Sequence, residues 1–116
     1  MRYLLLIYHS EAASVDMTPE EQQTQIQDYW AFTSEVREKG VLEGGEALQP
    51  IATATTVRVR EGKTTTTDGP FAETKEQLGG YYLLNCENLD QAIEYAAKIP
   101  DAKNGCVEIR PILEFG

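Results

Sequence analysis

One histidine, two cysteines and no apolar run longer than six residues set the first limits on this 116-residue chain. His9, Cys86 and Cys106 are too few and too far apart for a His/Cys metal cluster. No metal site is expected, and the two thiols read as small core residues near strand ends. The run Tyr3–Tyr8 is too short for a membrane helix or a typical signal-peptide core, and it soon meets His9 and Glu11. A cytoplasmic protein with no membrane partner is therefore expected. Basic residues are also scarce: 10 Lys and Arg face 19 Asp and Glu, a net charge of −9. Such a chain has no basic footprint with which to neutralise phosphates, so nucleic acid is not an expected partner. No flavin or haem motif is visible, and no cofactor is expected.

What is present belongs to a globular protein. The hydrophobic fraction is 41% and the charged fraction 25%, and the length suits one domain over residues 1–116. "RYLLLIY" has the continuous apolar pattern of a central strand. The polar stretch "HSEAASVDM" reads as a loop. Thr18, Pro19 and Glu21 then announce a helix through an N-cap, a first-turn proline and a capping box. Glu20 and Glu21 suit its positive end, Arg37 and Lys39 its negative end, and Gly40 its stop. This helix is predicted over 19–39, burying Ile26, Tyr29, Trp30, Thr33 and Val36 on one face.

"VLEGGEALQP" predicts a short strand interrupted by two glycines, with a bulge. Val57 and Val59 alternate with Arg58 and Arg60, Glu61-Gly62 makes a turn, and Thr64–Thr67 return as the second arm of a hairpin. "GGYYLLNC" is a further strand. Asn88 caps a second helix whose apolar stripe is Leu89, Ala92, Ile93, Ala96 and Ala97, ended by Pro100. "CVEIRPILEF" is the last strand, with Pro111 best placed at an edge. The order β-α-β-hairpin-β-α-β predicts an α+β fold, a ferredoxin-like sandwich with an inserted β-hairpin. In that topology the first strand separates the two cysteine-bearing strands by two spacings, about 9.6 Å, beyond disulfide reach. Both helices then cover one sheet face. The other face needs a partner, most economically a second copy, so a homodimer through the open sheet face is expected.

The chemistry gathers after the hairpin, in "TTTTDGPFAETKEQLGGYY". An Asp before Gly usually accepts from the backbone N–H two residues on, but Pro70 has none, so Asp68 is spared its commonest local partner. Two readings stand side by side: a rigid turn with Phe71 plugging the core, or a carboxylate held at the rim of a cleft. Glu73, Lys75 and Glu76 are likewise either a solvated turn or part of a paired-carboxylate site with a counter-charge. Paired carboxylates in a partly apolar site move apart in acidity, which permits acid/base work near neutral pH. The candidate catalytic residues are Asp68, Glu73 and Glu76. The candidate ligand contacts are His9, Phe71, Lys75 and Arg110, with Arg110 suited to an anionic group. Tyr81, Tyr82 and Trp30 read as core or interface bulk.

From "MRYLLLIY" through "TTVRVREGKTTTTDGPFAETKEQLGGYY" and "LDQAIEYAAKIP" to "VEIRPILEF", the chain resembles the DGPF proteins of the YCII-related superfamily. Asp68-Gly69-Pro70-Phe71 is the tetrapeptide that names the subfamily. The resemblance implies a ferredoxin-like, dimeric α+β barrel in a bacterial protein of uncharacterised function, some relatives being encoded beside extracytoplasmic-function sigma factors. In the wider superfamily a His pairs with an Asp, but this chain's first long helix holds no His, so that dyad is not carried over. Two functions follow as expectations. One is binding of a small molecule in a cleft near Asp68, with acid/base lyase or isomerase chemistry. The alternative is a non-catalytic ligand-binding or regulatory module linked to sigma-factor-dependent transcription.

Overall fold

The computed structural model describes residues 1–115. Strand β1 spans Arg2–His9 and is followed by one helical turn, α1, over Glu11–Ser14, where a polar loop is expected from the sequence. Ser10 caps that turn by accepting from the Ala13 N–H. Helix α2 spans Pro19–Glu38 and starts as its sequence requires. Thr18 Oγ1 accepts from the Glu21 N–H while the Glu21 carboxylate accepts from the Thr18 N–H. Then come β2 (Leu42–Ala47), β3 (Thr55–Arg60), β4 (Lys63–Asp68), β5 (Gln77–Asn85), α3 (Leu89–Lys98) and β6 (Cys106–Pro111).

The protein is α+β, with two antiparallel sheets. Four strands lie in the order β2-β5-β1-β6, and β3 and β4 form a separate two-stranded hairpin. Strand β1 is central, as its apolar run demands, and β6 is an edge where Pro111 removes no needed donor. Directly paired residues share a face, so Tyr3, Leu5 and Ile7 lie with Leu84, Tyr82 and Ile109 on one side. Phe32 and Val36 of α2 and Ala92, Tyr95 and Ala96 of α3 join Tyr3, Leu5, Ile7 and Leu84 in a single core, so both helices cover that face. The opposite face carries Leu4, Leu6, Tyr8, Leu83 and Tyr81, all only half-buried.

Two helix faces differ from expectation. In α2, Ile26 and Trp30 are 57% and 74% exposed, and the buried positions are Phe32 and Val36. In α3, Leu89, Ile93 and Ala97 are exposed, whereas Ala92, Tyr95 and Ala96 are buried. Val36, Ala92 and Ala96 are buried as their spacing suggests, but the large rings that join them in the core are Phe32 and Tyr95. The Tyr95 ring also carries Lys39 and Lys98 about 6 Å from its centroid, and Lys98 Nζ meets Glu35 at 2.6 Å, joining α3 to α2. Cys86 is buried and Cys106 exposed, both free, on strands separated by β1.

Candidate functional site

Two clefts lie on opposite sides of the sheet, and the last residues of β1 point one way each. His9 faces the helix side and Tyr8 the open side.

The helix-side cleft, about 560 Å³, opens between α2 and strands β1, β2 and β5. Its floor includes Gly45, Gly79 and Gly80, which put no side chains into it. The pairing of β1 with β5 slips between Ile7 and Tyr8, leaving Gly79 as the extra residue of a bulge. His9 lies directly over it. A Cβ at position 79 would stand 2.5 Å from His9 Nε2, so only glycine permits this ring position. Tyr82 lies over Gly45 in the same way, 2.9 Å from where a Cβ would be.

Hydrogen bonds orient the polar groups. Ser14 Oγ donates its one proton to the Ser10 carbonyl at 3.0 Å, so it must accept from His9 Nδ1 at 3.1 Å. In the neutral ring Nε2 then carries the lone pair of a base. On α2, Thr33 Oγ1 donates to the Tyr29 carbonyl at 2.9 Å and accepts from Tyr82 Oη at 2.8 Å. Tyr29 Oη donates to Asp101, whose other oxygen accepts from Gln25 Nε2 at 3.1 Å. Asp101 is only 8% exposed. Burial, and next the bond to Asp101, push the Tyr29 phenol far above its ordinary value; burial also raises Tyr82. Arg37 at the mouth makes no ion pair among the described residues. The cleft thus presents an oriented base, fixed hydroxyls, aromatic walls and, in its lining, the Arg37 cation together with the carboxylates of Glu43 and Glu46.

The open-side groove, about 820 Å³, runs between the root of the hairpin and the sheet, lined by Tyr8, Ile51, Val57, Phe71, Glu76 and Leu78 among others. Of the residues singled out from sequence, Phe71 and Glu76 line this groove and His9 lines the other cleft. Phe71 is 77% exposed, so it is a groove wall and does not plug the core. Asp68 is the last residue of β4, paired with Thr55; its exposed carboxylate makes no hydrogen bond among the described residues and lines neither cleft. Glu73 and Lys75 are exposed in the turn after it. Arg110 donates to Glu108 at 2.9 Å, which holds the Glu108 carboxyl below the usual range. The structure therefore divides the expected site between two faces of one sheet. Sequence reasoning missed Asp101, Thr33, Arg37 and the cleft role of Tyr29 and Tyr82. The readable signal was the two Gly-Gly pairs on separate strands, which become neighbours in the sheet.

Among the described residues, no three His, Cys, Asp or Glu side chains are placed to hold a metal, and no helix is long and apolar enough to cross a membrane. The solved structure of 5-chloro-2-hydroxyhydroquinone dehydrochlorinase from Burkholderia phenoliruptrix, in complex with 2,5-dihydroxybenzoquinone, is similar over 99% of this chain and 96% of that one. Its TM-score is 0.50 and its identity 14%, a likeness of fold alone. An uncharacterised protein of Rhizobium meliloti (strain 1021) is 38% identical over 114 residues, covering 97% of this chain and 92% of that protein. The YCII-related domain matches residues 1–116 in full, and with that relative it shows that the chain belongs to the YCII-related family.

Proposed function

We propose that the helix-side cleft binds a small anionic or hydroxylated aromatic molecule and moves a proton on it, as in a lyase or isomerase. The observation that carries this reading is His9: a ring held over Gly79, its Nδ1 committed to Ser14, its Nε2 free inside a cleft that also holds the Tyr82 ring and Arg37. A general base must be able to reach the proton it takes, and a free imidazole Nε2 facing the cleft can accept one. Arg37 supplies a counter-charge for a carboxylate or phenolate. The cleft volume falls within the usual range for small-molecule sites, roughly 300–1,000 Å³. The hydroxyhydroquinone in the name of the structurally similar dehydrochlorinase, and the dihydroxybenzoquinone bound to it, make hydroxylated aromatics and hydroxyquinones the first classes to screen.

The test is a thermal-shift screen of such compounds, followed by deuterium incorporation from solvent into each binder. Binders are expected to raise the melting temperature by several degrees, about 1 kcal/mol for a domain of this size. Exchange should fall by at least roughly 100-fold in His9→Gln, the scale of general-base catalysis. A second reading keeps the acid/base role with Asp68, together with Glu73 or Glu76. Its support is the unengaged Asp68 carboxylate near a groove walled by Phe71 and Glu76. Exchange lost in Asp68→Asn and retained in His9→Gln would select it. Binding without exchange in either would leave a ligand-binding module.

Within the YCII-related family we read the chain as a DGPF member, and the tetrapeptide Asp68–Phe71 supports that reading. The half-buried apolar face of Leu4, Leu6, Tyr81 and Leu83 is the surface through which two copies pair in a ferredoxin-like, dimeric α+β barrel.

A further inference from the structure

We propose that the β3–β4 hairpin is a docking arm that a second copy of this chain accepts in its open-side groove. The inference rests on the sheet-face dimer read above and adds what holds it in register. Four observations point to it.

The arm stands apart from its own domain. The chain measures 47 × 47 × 19 Å, and a sheet plus one helix layer already accounts for the short dimension. The arm therefore lies out in the plane and does not fold across its own sheet. The radius of gyration, 16.2 Å, exceeds the value of about 13 Å for a compact chain of this length. A two-stranded ribbon with no packed face is marginal in water.

Its apolar side is also largely uncovered, although Val57 near the root lines its own chain's groove. Val57 and Val59, on one face of the ribbon opposite Thr66 and Thr64, are both more than half exposed. Its charges are unpaired and mutually repulsive. Arg60 stands directly opposite Lys63, a like-charge pair that weakens an isolated hairpin. None of Arg58, Arg60 and Lys63 meets a carboxylate among the described residues. Finally, the signs are complementary. Residues 55–67 carry three cations and Glu61, a net +2, so the remaining chain carries −11. The groove has an acidic group in its wall, Glu76; Glu108 lies on the same sheet face, opposite Leu6, and there already holds Arg110 at 2.9 Å, a partner that an arm cation would have to displace.

One occupant satisfies all four observations. The outer part of one copy's arm, with Val59, seats against Tyr8, Phe71 and Leu78 of the other, and the arm cations reach its Glu76, with Glu108 available by exchange of Arg110. Two-fold symmetry repeats the contact, each copy giving and receiving one arm. Attraction between unlike charges makes such a dimer weaken with salt.

Sedimentation equilibrium on the full chain tests this with Arg58→Glu/Arg60→Glu/Lys63→Glu. The dimer Kd is expected to rise at least roughly tenfold, and its salt dependence to disappear or invert. A Glu76→Lys/Glu108→Lys chain should weaken in the same way, and an equimolar mixture of the two variants should pair better than either alone. In the wild type, amide exchange over residues 55–68 should slow as protein concentration rises through Kd. This readout holds even if the charge-reversed arm fails to form. A wild-type dimer whose Kd and arm exchange ignore these changes overturns the arm and leaves the sheet-face dimer standing. A wild type that stays monomeric at every concentration overturns the dimer reading itself.

Discussion

Asp101 is the buried acidic side chain among the described residues, and it takes its two donors, Tyr29 and Gln25, from α2. Removing one donor leaves a desolvated carboxylate short of a bond, so Tyr29→Phe is expected to cost about 1–3 kcal/mol in urea unfolding. The same pair sets an alkaline limit. Burial and the bond to Asp101 both favour the phenol over the phenolate, so the folded chain keeps the Tyr29 proton where the unfolded chain has lost it. The unfolded state then binds fewer protons, and stability falls as pH rises beyond about 10, the ordinary tyrosine value. Below that pH the contribution is complete. Urea midpoints between neutral pH and pH values above 10 should therefore fall more steeply in the wild type than in Tyr29→Phe. Tyr82, also raised by burial, keeps some slope in the variant. Parallel slopes would show that Tyr29 titrates alike in both states. None of this was legible from sequence. Asp101 follows Ile99-Pro100 with nothing to mark it as buried, because its partners lie 72 and 76 positions away. His9 and Phe71 were singled out from sequence, and each lines a cleft. That they face opposite sides of the sheet depends on the parity of β1 and on the bulge at Gly79, which residue types alone do not display.

At the scale of elements, local signals were faithful and faces were not. The capping box, the Asn88 cap, the bulge in β2 and the hairpin turn all stand where their residues require, since each depends on a few neighbouring atoms. The buried faces of α2 and α3 depend on how each helix lies on the sheet, a long-range property, and Trp30 and Ile93 lie outside them. The arm itself shows one local strain. Glu61 has φ +52° and Gly62 φ +75°, both in the left-handed region that two-residue hairpin turns demand. Glycine takes this conformation freely, whereas a residue such as Glu pays roughly 1–2 kcal/mol, and Asn less. Glu61→Asn is therefore expected to stabilise the hairpin by about 0.5–1 kcal/mol. Because the arm packs little on its own domain, global unfolding should hardly register the change. Amide exchange over residues 55–68 should slow by roughly threefold, with the core strands unaffected. Equal exchange in both chains would mean that the turn is not left-handed in solution.

For the molecule as a whole, the layers decide what is missing. Two helices on one face of a four-stranded sheet leave the other face without cover, a consequence readable from the order of elements before any contact is known. What that order cannot show is how the uncovered face is composed. Leu6 lies at its centre on β1, between Tyr81 of β5 and Glu108 of β6. In a single chain, Leu6→Lys has water on one side and Glu108 beside it, and the core of Leu5, Val36, Leu84 and Ile99 lies on the far side of the sheet. The variant is therefore expected to fold and to unfold cooperatively, within about 1 kcal/mol of an isolated wild-type chain. In a sheet-to-sheet dimer the same lysine would be buried, and two-fold symmetry places two of them in one interface. A buried charge without a dedicated partner costs several kcal/mol, so the Kd should rise by well over 100-fold and the sedimenting mass should halve. Circular dichroism separates this from unfolding. A Leu6→Lys chain that stays dimeric with the wild-type Kd would mean that two copies meet elsewhere, and the half-buried leucines would then need another cover.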